Sequence, residues 1–231
     1  MPESVEMVTL TKRKTPPRKR PVSFQTVAEM VRQLGDVPLK RIRMNPPPGR
    51  AKVADVEKTR NKHRILCELV DGTLVEKAMG YEESVLALFL GGKLTDFVMS
   101  RKLGLVSGEA GMMEIRENLV RIPDLAFVSW DRIPKRNRSL KATPRISPNL
   151  AIEILSKSNT SGEMDRKRSD YFSTGTQEVW QIDPKKRTVS VYRSIEEFET
   201  IKEPDILTGG ELLPGFEISL NVLFAALDRP D

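Results

Sequence analysis

The sequence contains one cysteine, Cys67, and one histidine, His63, among 231 residues. A single cysteine excludes an internal disulfide framework and a cysteine-based zinc site, and a single histidine excludes a zinc hydrolase with several histidine ligands. The sequence also has no G-x-S-x-G elbow, no P-loop and no G-x-G-x-x-G fingerprint. Any chemistry must therefore depend on carboxylates, lysine and a hard metal ion such as Mg²⁺ or Mn²⁺.

Long apolar runs are also missing: no stretch could span a bilayer, and the N-terminus has no signal-peptide core. Together with the single cysteine, this predicts a reducing, cytoplasmic setting and no membrane partner. Apolar residues make up 39% of the chain and charged residues 30%, which is typical of a soluble globular protein. The length suffices for one domain with a proper core and an appendage.

The net positive charge outside the N-terminal 20 residues is small. The net charge is +6, but residues 1–20 hold six basic and two acidic residues and so account for +4 of it. The remaining chain is nearly neutral, so affinity for nucleic acid would have to come from local patches. The tail itself is either a solvated solubility segment or a non-specific phosphate-binding arm.

The pattern divides the chain into three parts. Residues 1–21 are predicted to be a disordered basic tail, and residues 22–54 a short helix followed by a proline-rich strap across the main domain. Residues 55–231 form the domain proper, with a hairpin at Asp71-Gly72 and a helix over 81–100. The order of elements predicts a mixed α/β fold, with a central sheet flanked by helices.

Two apolar segments predicted as strands each carry one acid. Asp124 lies in the predicted strand LVRIPDLAFV, on one face with Ile122 and Ala126, and Glu153 lies in the predicted strand NLAIEILS. An unpaired carboxylate among such neighbours would be costly to bury. A divalent metal held by Asp124 and Glu153 would satisfy both acids, polarise a phosphate and lower the pKa of a bound water.

The helix GEMDRKRSDYFSTG follows the second of these strands and offers Lys167. One interpretation is a surface ion pair with Glu163, four residues earlier. The other places the ammonium near Glu153, where it could orient the attacking water or stabilise charge on phosphate. A second open choice concerns the basic segment 130–148, which is either a solvated loop or a contact for the nucleic-acid backbone through Lys135, Arg136 and Arg138.

Several motifs occur in order: P-D in RIPDLAFV, E-I-L-S in LAIEILSKSNT, K-x-x-x-Y in KRSDY and G-x-x-E-V-W-x-I-D-P. With CELVDGTLVEKAMGYEES upstream, they resemble the Uma-two family of proposed restriction endonucleases, part of the PD-(D/E)XK nuclease superfamily. The resemblance covers roughly residues 55–225. It implies a restriction-endonuclease-like fold, a central mixed sheet flanked by helices, with residues 1–54 as an N-terminal extension.

The resemblance also implies roles for individual residues. Asp124 matches the aspartate of the P-D motif and Glu153 the acid of (D/E)XK, while Leu155 stands where that motif has lysine. Lys167 matches a lysine displaced into the following helix. Glu83 falls where the family places a polar or acidic residue in its first helix, which makes it a candidate third ligand, although a first-turn carboxylate also favours the helix dipole.

The leading hypothesis is a metal-dependent DNA endonuclease with Asp124, Glu153, Lys167 and Glu83 as catalytic residues, the three acids being the metal ligands. The alternative is a catalytically inactive nucleic-acid-binding or interaction module on a nuclease fold. RNA is a third, less favoured substrate. A homodimer would suit cutting both strands of a duplex, by analogy alone.

Overall fold

A computed structural model describes residues 23–78, 80–134 and 141–228. The predicted basic tail and the three cations Lys135, Arg136 and Arg138 lie outside the described residues. The helices are α1 (Val27–Gln33), α2 (Val53–His63), α3 (Tyr81–Ser100), α4 (Ser161–Ser173) and α5 (Leu220–Phe224). The strands are β1 (Cys67–Val70), β2 (Thr73–Glu76), β3 (Gly104–Ser107), β4 (Met113–Arg116), β5 (Leu119–Arg121), β6 (Leu125–Ser129), β7 (Leu150–Ile154), β8 (Glu178–Asp183), β9 (Thr188–Tyr192), β10 (Phe198–Lys202), β11 (Ile206–Thr208) and β12 (Glu217–Ser219).

The central sheet has six strands in the order β10-β9-β8-β7-β6-β3. Strands β7 and β8 are parallel and are joined through α4, whereas the other pairs are antiparallel. This confirms the predicted mixed α/β fold. A second, four-stranded sheet (β2-β1-β5-β4) and a small hairpin of β11 and β12 complete the structure.

The segment LVRIPDLAFV is two strands, so its prediction as a single strand is wrong. Strand β5 ends at Arg121 in the four-stranded sheet, and β6 begins at Leu125 in the central sheet. Pro123 lies at the break, where a residue without an amide hydrogen cannot continue a ladder. Asp124 therefore lies at the passage between the two sheets.

The hairpin and the long helix agree with the sequence pattern. Asp71 and Gly72 both have positive φ, at 47° and 68°, as a tight two-residue hairpin turn requires. Helix α3 spans residues 81–100 as predicted and continues through its glycine pair. Gly91 allows α3 to pack closely against β6, because a Cβ at this position would lie 2.9 Å from a methyl group of Leu125.

Residues 23–52 pack onto the domain. The predicted helix is shorter than expected (α1), and the strap after it bridges to β2 through Ile42 and Val75. Helix α2, at the start of the main domain, is an element that the sequence pattern did not predict. The core has α3 and α5 on one face of the central sheet, and α4 with the strap on the other. Within the described ranges, no helix is both long and apolar enough to cross a membrane.

Candidate active site

Asp124 and Glu153 lie side by side at one end of the central sheet. Leu125 pairs with Ile152 across β6 and β7, so the register continued by one residue sets Asp124 opposite Glu153. The Asp124 carboxylate also accepts a hydrogen bond at 2.6 Å from the amide of Ile154, the residue after Glu153. Both acids are buried, with 6% and 4% of their surfaces exposed. The structure thus brings the two predicted metal ligands together.

Lys167 reaches this pair from α4, which covers the same face of the sheet. Its Nζ lies 2.9 Å from Glu153 Oε2 and 3.2 Å from a carboxylate oxygen of Glu68. The alternative of a surface ion pair with Glu163 is wrong, because Lys167 is only 4% exposed and Glu163 pairs with Arg41. The structure therefore places the ammonium where the catalytic interpretation needs it.

Tyr171, one turn further along α4, holds the other oxygen of Glu153. Its hydroxyl donates a hydrogen bond to Glu153 Oε1 at 2.7 Å. The side chain is fully buried, and burial together with the Glu153 charge raises the pKa of its hydroxyl well above the ordinary value. Tyr171 is thus a neutral donor that fixes the orientation of the carboxylate.

Glu68 in β1 is a third buried acid, which the sequence reasoning missed. It accepts a hydrogen bond from the amide of Ile122 at 3.0 Å and pairs with Arg121 at 2.6 Å. Arg121 in turn pairs with Asp170 of α4. A signal was available, because Glu68 is a single acid in the apolar strand CELV, the same pattern that identified Asp124 and Glu153.

Lys77 is the second missed residue, and the sequence offers no signal for it. It follows β2 directly, and its Nζ lies 2.8 Å from Asp124 Oδ1 while donating to the carbonyl oxygen of Ile122. Its side chain is only 3% exposed. Each of the paired acids therefore has its own lysine: Lys77 for Asp124 and Lys167 for Glu153.

The cluster shifts the pKa values of its two glutamates in opposite directions. Burial raises the pKa of Glu153, and the nearby charges of Asp124 and Glu68 add to this, against the opposing effect of Lys167 and Lys77. Burial would raise the pKa of Glu68 too, but Lys167, Arg121 and Lys77 together lower it to about 2. For Lys167, burial is outweighed by Glu153 and Glu68, which raise its pKa and keep it charged.

Glu83 is not brought into this cluster. It lies half-buried in the first turn of α3 and lines a groove of about 360 Å³, together with Ser156, Lys157 and Lys185. Among the described residues, no three acidic, histidine or cysteine side chains converge closely enough to hold a metal ion. The predicted set of three acidic ligands is therefore not assembled in this structure.

The donors that do converge still fit a magnesium-type ion. Asp124 and Glu153 offer only oxygen ligands, and the negative charge of Asp124 contributes to the raised pKa of Glu153. Mg²⁺ usually keeps several waters and binds proteins through one or two carboxylates plus substrate phosphates. Two acids suffice for such an ion, whereas zinc would favour nitrogen or sulfur ligands.

The comparisons with known proteins agree with this architecture. The family model of Uma2, described as "Putative restriction endonuclease", matches residues 53–222. The chain belongs to the Uma2 family. Its fold is similar to the crystal structure of "a putative nuclease belonging to DUF820" from Anabaena variabilis ATCC 29413. That similarity has a TM-score of 0.64 at 24% identity, over 71% of this chain and 92% of the other. The comparison with curated proteins gives no significant match.

The Uma2 match contains Glu68, Lys77, Asp124, Glu153 and Lys167, so the whole buried cluster belongs to the family domain. Helix α1 and the strap lie before the matched region. The family assignment therefore covers the cluster and leaves the N-terminal segment to be explained by its own contacts.

Proposed function

We propose that the chain is a metal-dependent endonuclease that hydrolyses phosphodiester bonds of DNA, with Mg²⁺ or Mn²⁺ as cofactor, in the cytoplasm. The observation that supports this best is the buried pair of Asp124 and Glu153 with the Lys167 ammonium 2.9 Å from Glu153. Membership of the Uma2 family, whose description is "Putative restriction endonuclease", supports DNA as the substrate class. Two carboxylates and a lysine on adjacent elements provide what phosphodiester hydrolysis requires.

Asp124 and Glu153 would hold the metal, which supplies a Lewis acid for the phosphate and a bound water of lowered pKa. Lys167 is held by Glu153 and Glu68, so its ammonium has a fixed position from which it can orient water or stabilise developing negative charge. Tyr171 prevents rotation of the Glu153 carboxylate through its hydrogen bond. Lys77, beside Asp124, offers a second positive charge to a bound phosphate.

DNA would reach the cluster across nearby basic side chains. Lys157 and Lys185 are exposed at the groove beside Leu155, two residues after Glu153. We keep Lys135, Arg136 and Arg138 as proposed backbone contacts, because their segment connects β6, which directly follows Asp124, to β7, which carries Glu153. A homodimer would place two such sites on one duplex, and analytical ultracentrifugation with and without DNA measures this.

A second candidate function is favoured by a specific observation. Each of the paired carboxylates already has a lysine partner, and Leu155 occupies the position of the motif's lysine. These features suit a non-catalytic nucleic-acid-binding module on the same fold. Such a module would bind DNA after loss of both Asp124 and Glu153, with an affinity that falls steeply as salt rises.

A plasmid cleavage assay with Mg²⁺ separates the two candidates. Wild-type protein is expected to nick or linearise supercoiled DNA, and Asp124→Asn to reduce the rate by at least about 100-fold, the lower range for loss of a catalytic group. Asp183→Asn is the matched control, because Asp183 is a carboxylate that accepts bonds from turn amides. Absence of cleavage by wild type, or undiminished cleavage by Asp124→Asn, would contradict the proposal. Single-stranded RNA in parallel reactions tests the substrate class.

A further inference from the structure

Arg41 is a buried cation in a segment that the family match does not include. It lies in the proline-rich strap, before the matched residues 53–222, and only 6% of its surface is exposed. Its side chain carries a planar fork of donors, which suits simultaneous contacts with several segments. The contacts of this one guanidinium account for its burial.

The Arg41 guanidinium connects three segments of the family domain. It forms two parallel hydrogen bonds, at 2.8 and 2.7 Å, with the two carboxylate oxygens of Glu163 in the first turn of α4. Its Nε donates to the carbonyl oxygen of Glu76 at 2.8 Å, and Nη1 to that of Ser158 at 3.3 Å. Bidentate arginine–carboxylate pairs of this kind fix relative orientation as well as distance.

Each contacted segment carries or adjoins a side chain of the candidate site. Glu76 directly precedes Lys77, the partner of Asp124. Glu163 lies one helical turn before Lys167, on the same side of α4. Ser158 belongs to the loop that leaves β7 after Glu153. One side chain thus spans the supports of both lysines.

The turn between α1 and the strap also lies close to the N-terminus of α4. The Thr160 hydroxyl donates to the carbonyl oxygen of Gly35, and a Cβ on Gly162 would lie only 2.9 Å from that same oxygen. Further along α4, Arg166 donates to the carbonyl oxygen of Gln33. The end of α1 and the strap are therefore in contact with about the first two turns of α4, and Arg41 is the buried link.

We propose that Arg41 is a positioning residue: it holds the start of α4 and the end of β2 together so that Lys167 and Lys77 stay on Glu153 and Asp124. The structural part of this inference stands without any activity. Its catalytic consequence rests on the proposed nuclease function. The strap then helps to set the geometry of the site, although it lies outside the region that the family model matches.

A single substitution at Arg41 would mix positioning with stability, because it leaves the Glu163 carboxylate buried and unpaired. The double variant Arg41→Met/Glu163→Met removes both charges, so neither is left buried and unpaired; only the neutral groups of Glu76, Ser158 and Asn159 lose a hydrogen bond. Replacing a buried ion pair by apolar residues of similar size is often neutral for stability. Arg43→Met is the matched control, since Arg43 is two residues away and pairs with the side chain of Glu76 at the surface.

The direct readout is the ¹H–¹⁵N NMR signal of the lysine ammonium groups. Buried, hydrogen-bonded ammonium groups exchange slowly with water, so Lys77 and Lys167 are expected to give signals, assigned by their loss in Lys77→Arg and Lys167→Arg. The double variant is expected to shift or broaden both signals, and Arg43→Met to leave them unchanged. Wild-type-like signals in the folded double variant would overturn the proposal. If the double variant does not fold, Glu163→Gln replaces it and is read on Lys77, because Lys167 lies one helical turn from Glu163 and responds to its charge directly: a shifted Lys77 signal supports the proposal, and an unchanged one overturns it.

Kinetics provide the functional arm. The double variant is expected to lower kcat for plasmid cleavage at least 10-fold with KM changed less than twofold, because it displaces site groups and removes neither of the exposed groove cations, Lys157 and Lys185. Wild-type kcat in the double variant would overturn the positioning role. If wild type cleaves nothing, the proposed nuclease function fails, and the NMR result still decides the structural role of Arg41.

Discussion

Replacing Lys167 with methionine would remove an ammonium that lies between the buried carboxylates of Glu153 and Glu68. In the structure its Nζ is 2.9 Å from Glu153 and 3.2 Å from Glu68, and its side chain is 5% exposed. Glu68 keeps Arg121 as a partner, so the main loss falls on Glu153. Methionine preserves most of the apolar stem, so the change isolates the charge.

The expected cost follows from how Glu153 would respond. An unpaired buried carboxylate takes up a proton when the chain folds. The resulting loss of stability cannot exceed the free energy of protonating a glutamate in the unfolded chain at the same pH. With an ordinary glutamate pKa of about 4.3, that limit is about 4 kcal/mol at pH 7 and about 1 kcal/mol at pH 5. The variant's Glu153 has a folded pKa above the unfolded value, so the variant loses stability as pH rises through this window. We therefore expect Lys167→Met to lower the free energy of unfolding by up to about 4 kcal/mol at pH 7 and by no more than about 1 kcal/mol at pH 5.

Guanidinium denaturation at pH 5, 6 and 7 measures this, with fluorescence of the buried Trp180 as the probe. Lys186→Met is the matched control, because the Lys186 side chain is 79% exposed and lies 3.5 Å from Asp183. It should change stability by less than about 1 kcal/mol at every pH. A penalty for Lys167→Met below about 1 kcal/mol at pH 7, or one that does not vary with pH, would refute the ion-pair reasoning.

Two further predictions concern the same fold. The pKa of Glu68 is held at about 2, below its unfolded value, so its stabilisation is present above about pH 4.5 and is lost as pH falls towards 2. Glu68→Gln should therefore flatten the decline in unfolding free energy between pH 5 and pH 3, and an unchanged slope in urea titrations would contradict this. Gly162→Ala should lower Tm, because its Cβ would lie 2.9 Å from the Gly35 oxygen, whereas Gly92→Ala, with no atom within 4 Å, should raise stability by roughly 0.5–1 kcal/mol. Thermal unfolding that ranks the two variants the other way would contradict the packing of the strap on α4.

The elements with strong local patterns were predictable from the sequence. Helix α3 has a wide apolar face and acidic residues in its first turn, and its bounds agree with the prediction. The Asp71-Gly72 turn was also predictable, because few residues adopt positive φ at both positions. The break at Pro123 was missed, because continuous apolar alternation across Ile122 and Leu125 hides a change from one sheet to another.

The candidate site was predictable only in part, and the reason is physical. Asp124 and Glu153 stand out as single charges among apolar neighbours, and the same rule would have found Glu68. Lys77 and Arg41 do not stand out, because a basic residue in a polar or proline-rich segment looks the same whether it is solvated or buried. Their burial is decided by partners that are distant in sequence, Asp124 for Lys77 and Glu163 for Arg41.

A crystal structure with Mn²⁺ and a short DNA duplex would test the central claim most directly, since anomalous scattering locates the ion without ambiguity. We predict one Mn²⁺ on the carboxylates of both Asp124 and Glu153, with a DNA phosphate on the same ion and the Lys167 ammonium beside it. A duplex bound away from this pair, or both carboxylates still on their lysines without metal, would contradict it.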